Sequence, residues 1–265
     1  MWSQSNNPSV SLETRRWLGE LAAQGDRLDR ESWATIQRAV EACASVHPGG
    51  LVMDLSLALG AGDEAARVAG SCAEVFYVVC SLTDDIQDGD TGSYLEGVSL
   101  PLAVNAQAHL LCLAANRVIG LEPWIGRAHA RALVVTMYET GASMLTGQHR
   151  EITRRDWGLD AYERVAHLSA GRQFAFYLEL AASVAGADPR PWSSFGSSVG
   201  RVVQLARDHE TGDERLEGLD PEDVSTFGRA LVRTLRSRAA DIGGPAPDLS
   251  GQLADHLEEC LRDSR

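Results

Sequence analysis

The sequence is 265 residues long and 44% apolar, and it carries a formal net charge of −13 because 37 acidic side chains outnumber 24 basic ones. This length and apolar content predict a sizeable hydrophobic core in a single domain spanning residues 1–265. The negative charge argues against nucleic acid and against an anionic membrane surface as partners. All 24 basic residues are arginines, which excludes a lysine nucleophile or a lysine phosphate clamp.

The N-terminus and the cysteines predict a cytoplasmic protein. The first seven residues have no basic start and no apolar segment, so a signal peptide is not expected. No run approaches 18 apolar residues, so a membrane-spanning segment is not expected either. The five cysteines are odd in number and form no CxxC pair, which indicates free thiols in a reducing compartment.

Glycine and proline clusters divide the chain into segments whose apolar residues recur every three to four positions, the spacing of helices. This pattern predicts an all-α bundle of about ten or more helices. One important helix is predicted over residues 64–88, with Asp63 as its N-cap. Another is predicted over residues 191–207, with Gln204 and Asp208 one turn apart at its end.

Three carboxylates stand at the end of the first of these helices, in the pattern Asp84-Asp85-x-x-Asp88. Steps of four residues lead from Phe76 through Cys80 to Asp84 and Asp88, so the carboxylates continue an apolar helix face. Aspartates at a helix C-terminus face the negative end of the macrodipole, an arrangement that a bound cation stabilises. The pattern therefore indicates a Mg²⁺ site, the alternative being a solvated acidic helix end.

Residues 72–88 resemble the first aspartate-rich helix of the trans-isoprenyl diphosphate synthase (polyprenyl synthetase) family, which reads Ala-x-Glu, an aromatic residue or His, then Ser-Leu-x-x-Asp-Asp. Further similar segments follow in family order at residues 103–111, Gly147-Gln148, 171–187 and 200–208. The resemblance implies the isoprenoid synthase type I fold, a bundle around a central apolar cavity, and usually a homodimer.

The family resemblance also implies a chemistry, which is Mg²⁺-dependent ionisation of an allylic prenyl diphosphate inside a cavity that excludes water. The implied catalytic and metal-binding residues are Asp84, Asp85 and Asp88, with Asp208 as a further metal ligand. The expected diphosphate-binding residues are Gln148, Arg172, Gln204 and Arg207, and His47 and His209 are additional candidates. The expected cavity residues are Phe76, Val79 and Cys80.

The departures from the family pattern concern the binding of a second diphosphate. The basic segment that holds isopentenyl diphosphate in the family is replaced by residues 46–51, and an Arg-Arg-Gly segment is replaced by residues 91–93. The second aspartate box, Gln-x-x-Asp-Asp-x-x-Asp in the family, reads here Gln204-Leu205-Ala206-Arg207-Asp208-His209-Glu210-Thr211. The chain is therefore expected to activate one diphosphate substrate without the usual isopentenyl diphosphate site.

Three functions remain open from the sequence. The first is a prenyltransferase with an acceptor other than isopentenyl diphosphate, and residues 84–92 are similar to the first motif of the moenomycin-type prenyltransferases. The second is a class I terpene cyclase, although the cyclase motif Asn/Asp-x-x-Ser/Thr-x-x-x-Glu ends here in Arg215 when it starts at Asp208. The third is a noncatalytic partner that regulates a prenyl diphosphate synthase.

Overall fold

The computed structural model describes residues 8–23, 30–43, 48–89, 95–154 and 156–261. These residues contain helices and no strand, which confirms the predicted all-α class. In chain order the helices are α1 (Pro8–Ala23), α2 (Arg30–Ala42), α3 (Pro48–Ala58), α4 (Asp63–Asp88), α5 (Leu100–Ile119), α6 (Glu122–Ile125), α7 (Arg127–Thr153), α8 (Leu159–Ala166), a π-helical turn (His167–Gly171), α9 (Arg172–Val184), α10 (Pro189–Thr211), α11 (Glu214–Glu217), α12 (Pro221–Ile242) and α13 (Ala246–Cys260).

The chain divides into two compact units. The first unit comprises residues 1–135 with 184–186, and the second comprises residues 136–183 with 187–265. The single domain expected from the sequence stays a prediction.

Helix α4 is the core of the first unit and packs against α1, α3 and α5. Its residues from Ala65 to Leu82 are buried almost without interruption. The buried Glu74 accepts hydrogen bonds from the Ser11 hydroxyl, at 2.8 Å, and from the Thr14 hydroxyl, both on α1. Because these bonds satisfy a buried carboxylate, they fix α1 against the middle of α4.

The observed start of α4 corrects one detail of the prediction. Gly62 is the N-cap, with φ −73° and ψ 151°, and the predicted N-cap Asp63 is the first helical residue. Asp63 and Glu64 therefore lie in the first turn, where the positive end of the helix dipole stabilises carboxylates. The helix ends at Asp88, as predicted from the sequence.

Among the described helices, α4 is long and apolar enough, by length and composition, to cross a membrane. Its apolar window has a mean hydropathy of 1.4, and 83% of that window is buried within the protein. The core helices of globular proteins can be equally long and apolar, and α4 is buried to the extent typical of a core helix.

Helix α10 is the centre of the second unit and packs against the π-helical turn, α12 and α13. Its N-cap is Asp188, whose carboxylate accepts from the Arg190 amide at 3.1 Å, so α10 starts before the predicted residue 191. Gly196 and Gly200 allow a close approach, because a Cβ at either position would overlap the backbone carbonyl of Phe174 or Ala170. These two glycines therefore let α10 pack directly against the π-helical turn and the first residues of α9.

Candidate functional site

The three aspartates of the first motif end helix α4. Asp84 and Asp85 are half-buried, whereas Asp88 is exposed. Gly89 terminates the helix in the left-handed conformation, with φ +71°, and the last turn contains no basic residue. The three aspartates are therefore grouped at one end of α4, and the buried part of this helix holds their backbone in place.

Hydrogen bonds beside the aspartates hold the end of α4 on α5. The Thr83 hydroxyl donates to the Val79 carbonyl at 2.6 Å and accepts from the Gln107 side-chain amide at 3.0 Å. Gln107 belongs to the segment of residues 103–111 that was singled out by its similarity to the family. This contact fixes the rotation of the helix end and therefore the direction of its carboxylates.

The donor set at the end of α4 fits Mg²⁺, which is a hard cation that prefers carboxylate oxygens. Asp84 and Asp88 stand one turn apart on one helix face, and Asp85 adds a third carboxylate beside them. The partial exposure of all three leaves room for water and substrate oxygens, which Mg²⁺ usually keeps in its coordination sphere.

The predicted cavity residues lie on the same helix, directly before the aspartates. Phe76, Val79 and Cys80 are buried, with exposed fractions of 1%, 4% and 8%. These apolar side chains lie within about two helical turns of Asp84, which agrees with the apolar face predicted for α4. Their role as cavity lining stays a prediction.

Asp208, the aspartate retained from the second motif, lies at the centre of a buried polar network near the end of α10. Its side chain is 4% exposed. One carboxylate oxygen accepts from the Tyr162 hydroxyl at 2.7 Å, and the other accepts from the Gln204 amide at 2.6 Å and from Arg215 Nη2 at 3.1 Å. Both oxygens of Asp208 are thus bound by groups of the protein itself.

Local chain geometry brings Arg215 back onto α10. Gly212 ends α10 in the left-handed conformation, with φ +65°. Asp213 then caps the short helix α11 by accepting from the Arg215 amide at 2.9 Å. The Arg215 guanidinium also donates to Asp213, at 2.7 Å from Nε, and to Glu151 on α7. We refer to Glu151, Tyr162, Gln204, Asp208, Asp213 and Arg215 as the Asp208–Arg215 network.

The protonation equilibria reflect this burial and pairing. Burial raises the pKa of Asp208, and Arg215 and Tyr162 partly offset that shift. Burial by itself would lower the pKa of Arg215, but its contacts with Asp213, Asp208 and Glu151 raise it above its usual value. Burial and the neighbouring Asp208 carboxylate raise the pKa of Tyr162, so its hydroxyl keeps its proton and acts as a donor.

The predicted metal-binding role of Asp208 meets competition from these partners. A divalent cation at Asp208 would lie beside the Arg215 guanidinium, which repels it and already neutralises the carboxylate. The residues around Asp208 therefore fit an internal arginine better than a metal ion. The ligand role of Asp208 stays a prediction that requires this ion pair to open.

The predicted diphosphate-binding residues all belong to the second unit but differ in exposure. Arg207 is exposed, and its charge helps to lower the pKa of Asp213, so it lies near the Asp208–Arg215 network. Arg172 is half-buried and directly follows the π-helical turn, a feature often found at functional sites. Gln148 is buried on α7, and the Gln204 amide is bound to Asp208.

Two groups of sequence candidates fall elsewhere. Val46, His47 and residues 91–93 lie outside the described residues, whereas residues 48–51 of the replaced segment 46–51 are buried at the start of α3. His209 lines a separate pocket of about 410 Å³ together with residues of α12, including Val224 and Arg229.

No sequence pattern indicated Tyr162, Glu151 or the ion pairs of Arg215. Arg215 breaks the cyclase motif, and the Asp213-x-Arg215 spacing after Gly212 is the one signal of a turn back toward Asp208. Tyr162 and Glu151 carry no comparable signal, because they stand 46 and 64 residues from their partners.

Solved structures of prenyl synthases resemble this chain over almost its whole length. Geranyltranstransferase from Thermotoga maritima matches with a TM-score of 0.78 at 15% identity, covering 98% of this chain and 100% of that chain. An FPP/GFPP synthase from Zymomonas mobilis matches with a TM-score of 0.74 at 18% identity, covering 99% of both chains.

The chain has the isoprenoid synthase fold. This fold also occurs in the geranyl diphosphate synthase small subunit from Antirrhinum majus, which matches with a TM-score of 0.71 at 14% identity and covers 96% of this chain and 99% of that chain. No protein-family model and no curated protein sequence matches the chain.

Proposed function

We propose that this protein is a Mg²⁺-dependent prenyltransferase that ionises an allylic prenyl diphosphate and transfers the prenyl group to an acceptor other than isopentenyl diphosphate. The observation that carries the proposal is the group of three accessible carboxylates at the end of the buried helix α4, in a chain with the isoprenoid synthase fold. The similarity of residues 84–92 to the moenomycin-type prenyltransferases supports the same subclass.

In this proposal Asp84, Asp85 and Asp88 hold Mg²⁺ ions. When bound, the ions neutralise the diphosphate leaving group as its bond to the allylic carbon breaks. The carboxylates fix the position of the ions, because α4 is buried along its length and Thr83 is tied to Gln107. Phe76, Val79 and Cys80 supply apolar surface that keeps water from the allylic cation.

Arginines take the place of the absent lysines in binding the diphosphate. A guanidinium can bind two phosphate oxygens at once, and it keeps its charge at any physiological pH. Arg172 and Arg207 are the proposed contacts, with Gln148 and Gln204 as neutral donors. Gln204 reaches a substrate only by giving up its bond to Asp208, so we expect it to contribute least.

The Asp208–Arg215 network favours a second candidate, a noncatalytic partner of a prenyl diphosphate synthase. Such a protein does not need a second metal site, so an internal ion pair can stand in its place without loss of function. The same network argues against a terpene cyclase, because the last position of the cyclase motif is an arginine bound to the first.

Incubation with Mg²⁺ and geranyl, farnesyl or geranylgeranyl diphosphate tests these candidates directly. Diphosphate release and products are measured with and without isopentenyl diphosphate and with nucleophilic acceptors. We expect prenyl transfer that depends on a nucleophilic acceptor and is not increased by isopentenyl diphosphate. Hydrocarbon from one substrate alone would exclude the transferase, and no release with any mixture would favour the noncatalytic partner.

A homodimer is proposed from an exposed apolar stripe on α7. Tyr138, Leu145 and Ile152 are 45–49% exposed and recur every seven residues, so they share one face of the helix. A second copy of the chain would cover this stripe. Leu145→Glu should convert the dimer to monomers in sedimentation velocity, and an unchanged sedimentation coefficient would place the interface elsewhere.

We also propose that the protein is located in the cytoplasm.

A further inference from the structure

Three side chains with metal-binding atoms converge where the C-terminal ends of α10 and α13 meet. Glu210 lies in the last turn of α10, and His256 and Cys260 lie one turn apart on α13, so both point from the same face of that helix. Their ligand atoms all lie within 4.8 Å of one another. None of the three belongs to the proposed diphosphate site.

The two distances to Glu210 match those between ligands of a tetrahedral metal ion. His256 Nε2 lies 3.3 Å from Glu210 Oε1, and Cys260 Sγ lies 3.5 Å from the same oxygen. Zinc bonds of ~2.0–2.1 Å to nitrogen and oxygen and ~2.3 Å to sulfur place ligand atoms ~3.3–3.6 Å apart around a tetrahedron. The fold therefore holds His256 and Cys260 at coordination distance from Glu210, and the His256 and Cys260 donors lie within 4.8 Å of each other.

We propose that Glu210, His256 and Cys260 form a binding site for a divalent cation of the zinc class. A thiolate and an imidazole select zinc over magnesium, because soft and borderline ligands bind hard cations weakly. Three protein ligands leave a fourth position for water, and the 51% exposure of the Glu210 side chain leaves the site open to solvent.

Cation binding at this site requires Cys260 to lose its proton. Burial and the adjacent Glu210 carboxylate raise the pKa of the thiol to about 11, so without a cation the sulfur keeps its proton. Metal binding releases this proton to solvent and replaces the Cys260–Glu210 hydrogen bond by two metal bonds. The position of the site implies a structural role, in which the ion joins the C-terminal helix α13 to α10.

The close packing around the site supports this role. A Cβ at Gly228 of α12 would overlap the side chain of Leu261, which directly follows α13. The end of α13 therefore packs closely against α12. His209 and Leu261, the chain neighbours of Glu210 and Cys260, line the pocket of about 410 Å³ described above. Because the Glu210 side chain is half exposed, an ion can reach the site from solvent without displacing a helix.

Cobalt titration of the metal-free full-length protein tests the proposal. Co²⁺ bound to a thiolate gives a sulfur-to-metal charge-transfer band in the near ultraviolet, and we expect one such ion per chain, displaced by Zn²⁺. Cys260→Ser should abolish the band, and His256→Ala should weaken Co²⁺ binding at least tenfold. Cys112→Ser, at an exposed cysteine of α5, and Asp84→Asn should leave the band unchanged.

A second variant and a second readout keep the result clear if a substitution on α13 disturbs folding. Glu210→Gln changes an exposed side chain, and it should weaken Co²⁺ binding while circular dichroism stays native. Zn²⁺ should raise the melting temperature of the wild type and not that of Cys260→Ser. The proposal is overturned by a wild type without the band at millimolar Co²⁺, or by a band that persists in Cys260→Ser.

Discussion

The two helix ends with the aspartates that the sequence singles out, those of α4 and α10, use the same side chain in opposite ways. At the end of α4 three aspartates stand together, half-buried or exposed, in a helix turn without a basic residue. At the end of α10 a single aspartate is buried and bound by a tyrosine, a glutamine and an arginine. A carboxylate bound by a buried arginine has little to offer a metal ion, whereas three carboxylates at one helix end attract a cation.

Arg215 explains how Asp208 can be buried without a metal ion. A buried carboxylate is costly unless a cation lies beside it. Arg215 supplies that cation from within the chain. In the proposed function the first motif binds metal, whereas Asp208 is part of the protein interior.

The largest effect is expected at the end of α4. Asp84→Ala should lower the rate of diphosphate release about 10³-fold, because a metal that stabilises the leaving group contributes several kcal/mol to the transition state. The measurement is steady-state turnover with Mg²⁺ and the preferred allylic diphosphate.

The matched control is Asp63→Asn, at the opposite end of the same helix. It should retain turnover within about twofold, since this position is remote from the motif along α4. Turnover by Asp84→Ala equal to that of the control would remove the first motif from the mechanism.

The next effect concerns stability. Arg215→Ala should reduce the free energy of unfolding by about 3–5 kcal/mol, because it leaves the buried Asp208 carboxylate without its cation. Urea denaturation followed by circular dichroism measures the change. Arg190→Ala removes a solvent-exposed pair with Asp188 and should cause no measurable loss.

A double variant sharpens the same prediction. Asp208→Asn combined with Arg215→Ala should recover part of the lost stability, because no unpaired charge then remains buried. If Arg215→Ala has the same midpoint urea concentration of unfolding as the wild type, the Asp208–Arg215 network does not stabilise the protein.

A smaller effect is expected from Tyr162→Phe, which keeps the ring and removes the hydrogen bond to Asp208. The loss should be about 1–2 kcal/mol, since the acceptor is a buried charged group. The same urea series measures it. A variant as stable as the wild type would mean that water replaces the hydroxyl at no cost.

The sequence predicted those features that depend on local spacing. The extent of α4 followed from its apolar periodicity and from Gly89, and the observed helix spans Asp63–Asp88. The position of Asp84 and Asp88 on one face followed from the same periodicity. The all-α class followed because the described chain has helical spacing throughout.

Features that depend on contacts distant in sequence were not predictable. Helix α10 ends at Thr211, four residues beyond the predicted end, and the short helix α11 turns Arg215 back to it. Glu151 and Tyr162 join Asp208 and Arg215 through tertiary packing alone. The convergence of Glu210 with His256 and Cys260 also needs two helices, although the His-x-x-x-Cys spacing is visible in the sequence.

In the proposed function α4 holds the magnesium ions, and Arg215 takes the place of a metal at Asp208. The most direct test counts the Mg²⁺ ions retained per chain in the complex with an unreactive allylic diphosphate analogue, using two isosteric variants. We predict that Asp208→Asn retains as many ions as the wild type and that Asp84→Asn retains fewer. Loss of an ion in Asp208→Asn, with full retention in Asp84→Asn, would contradict the account.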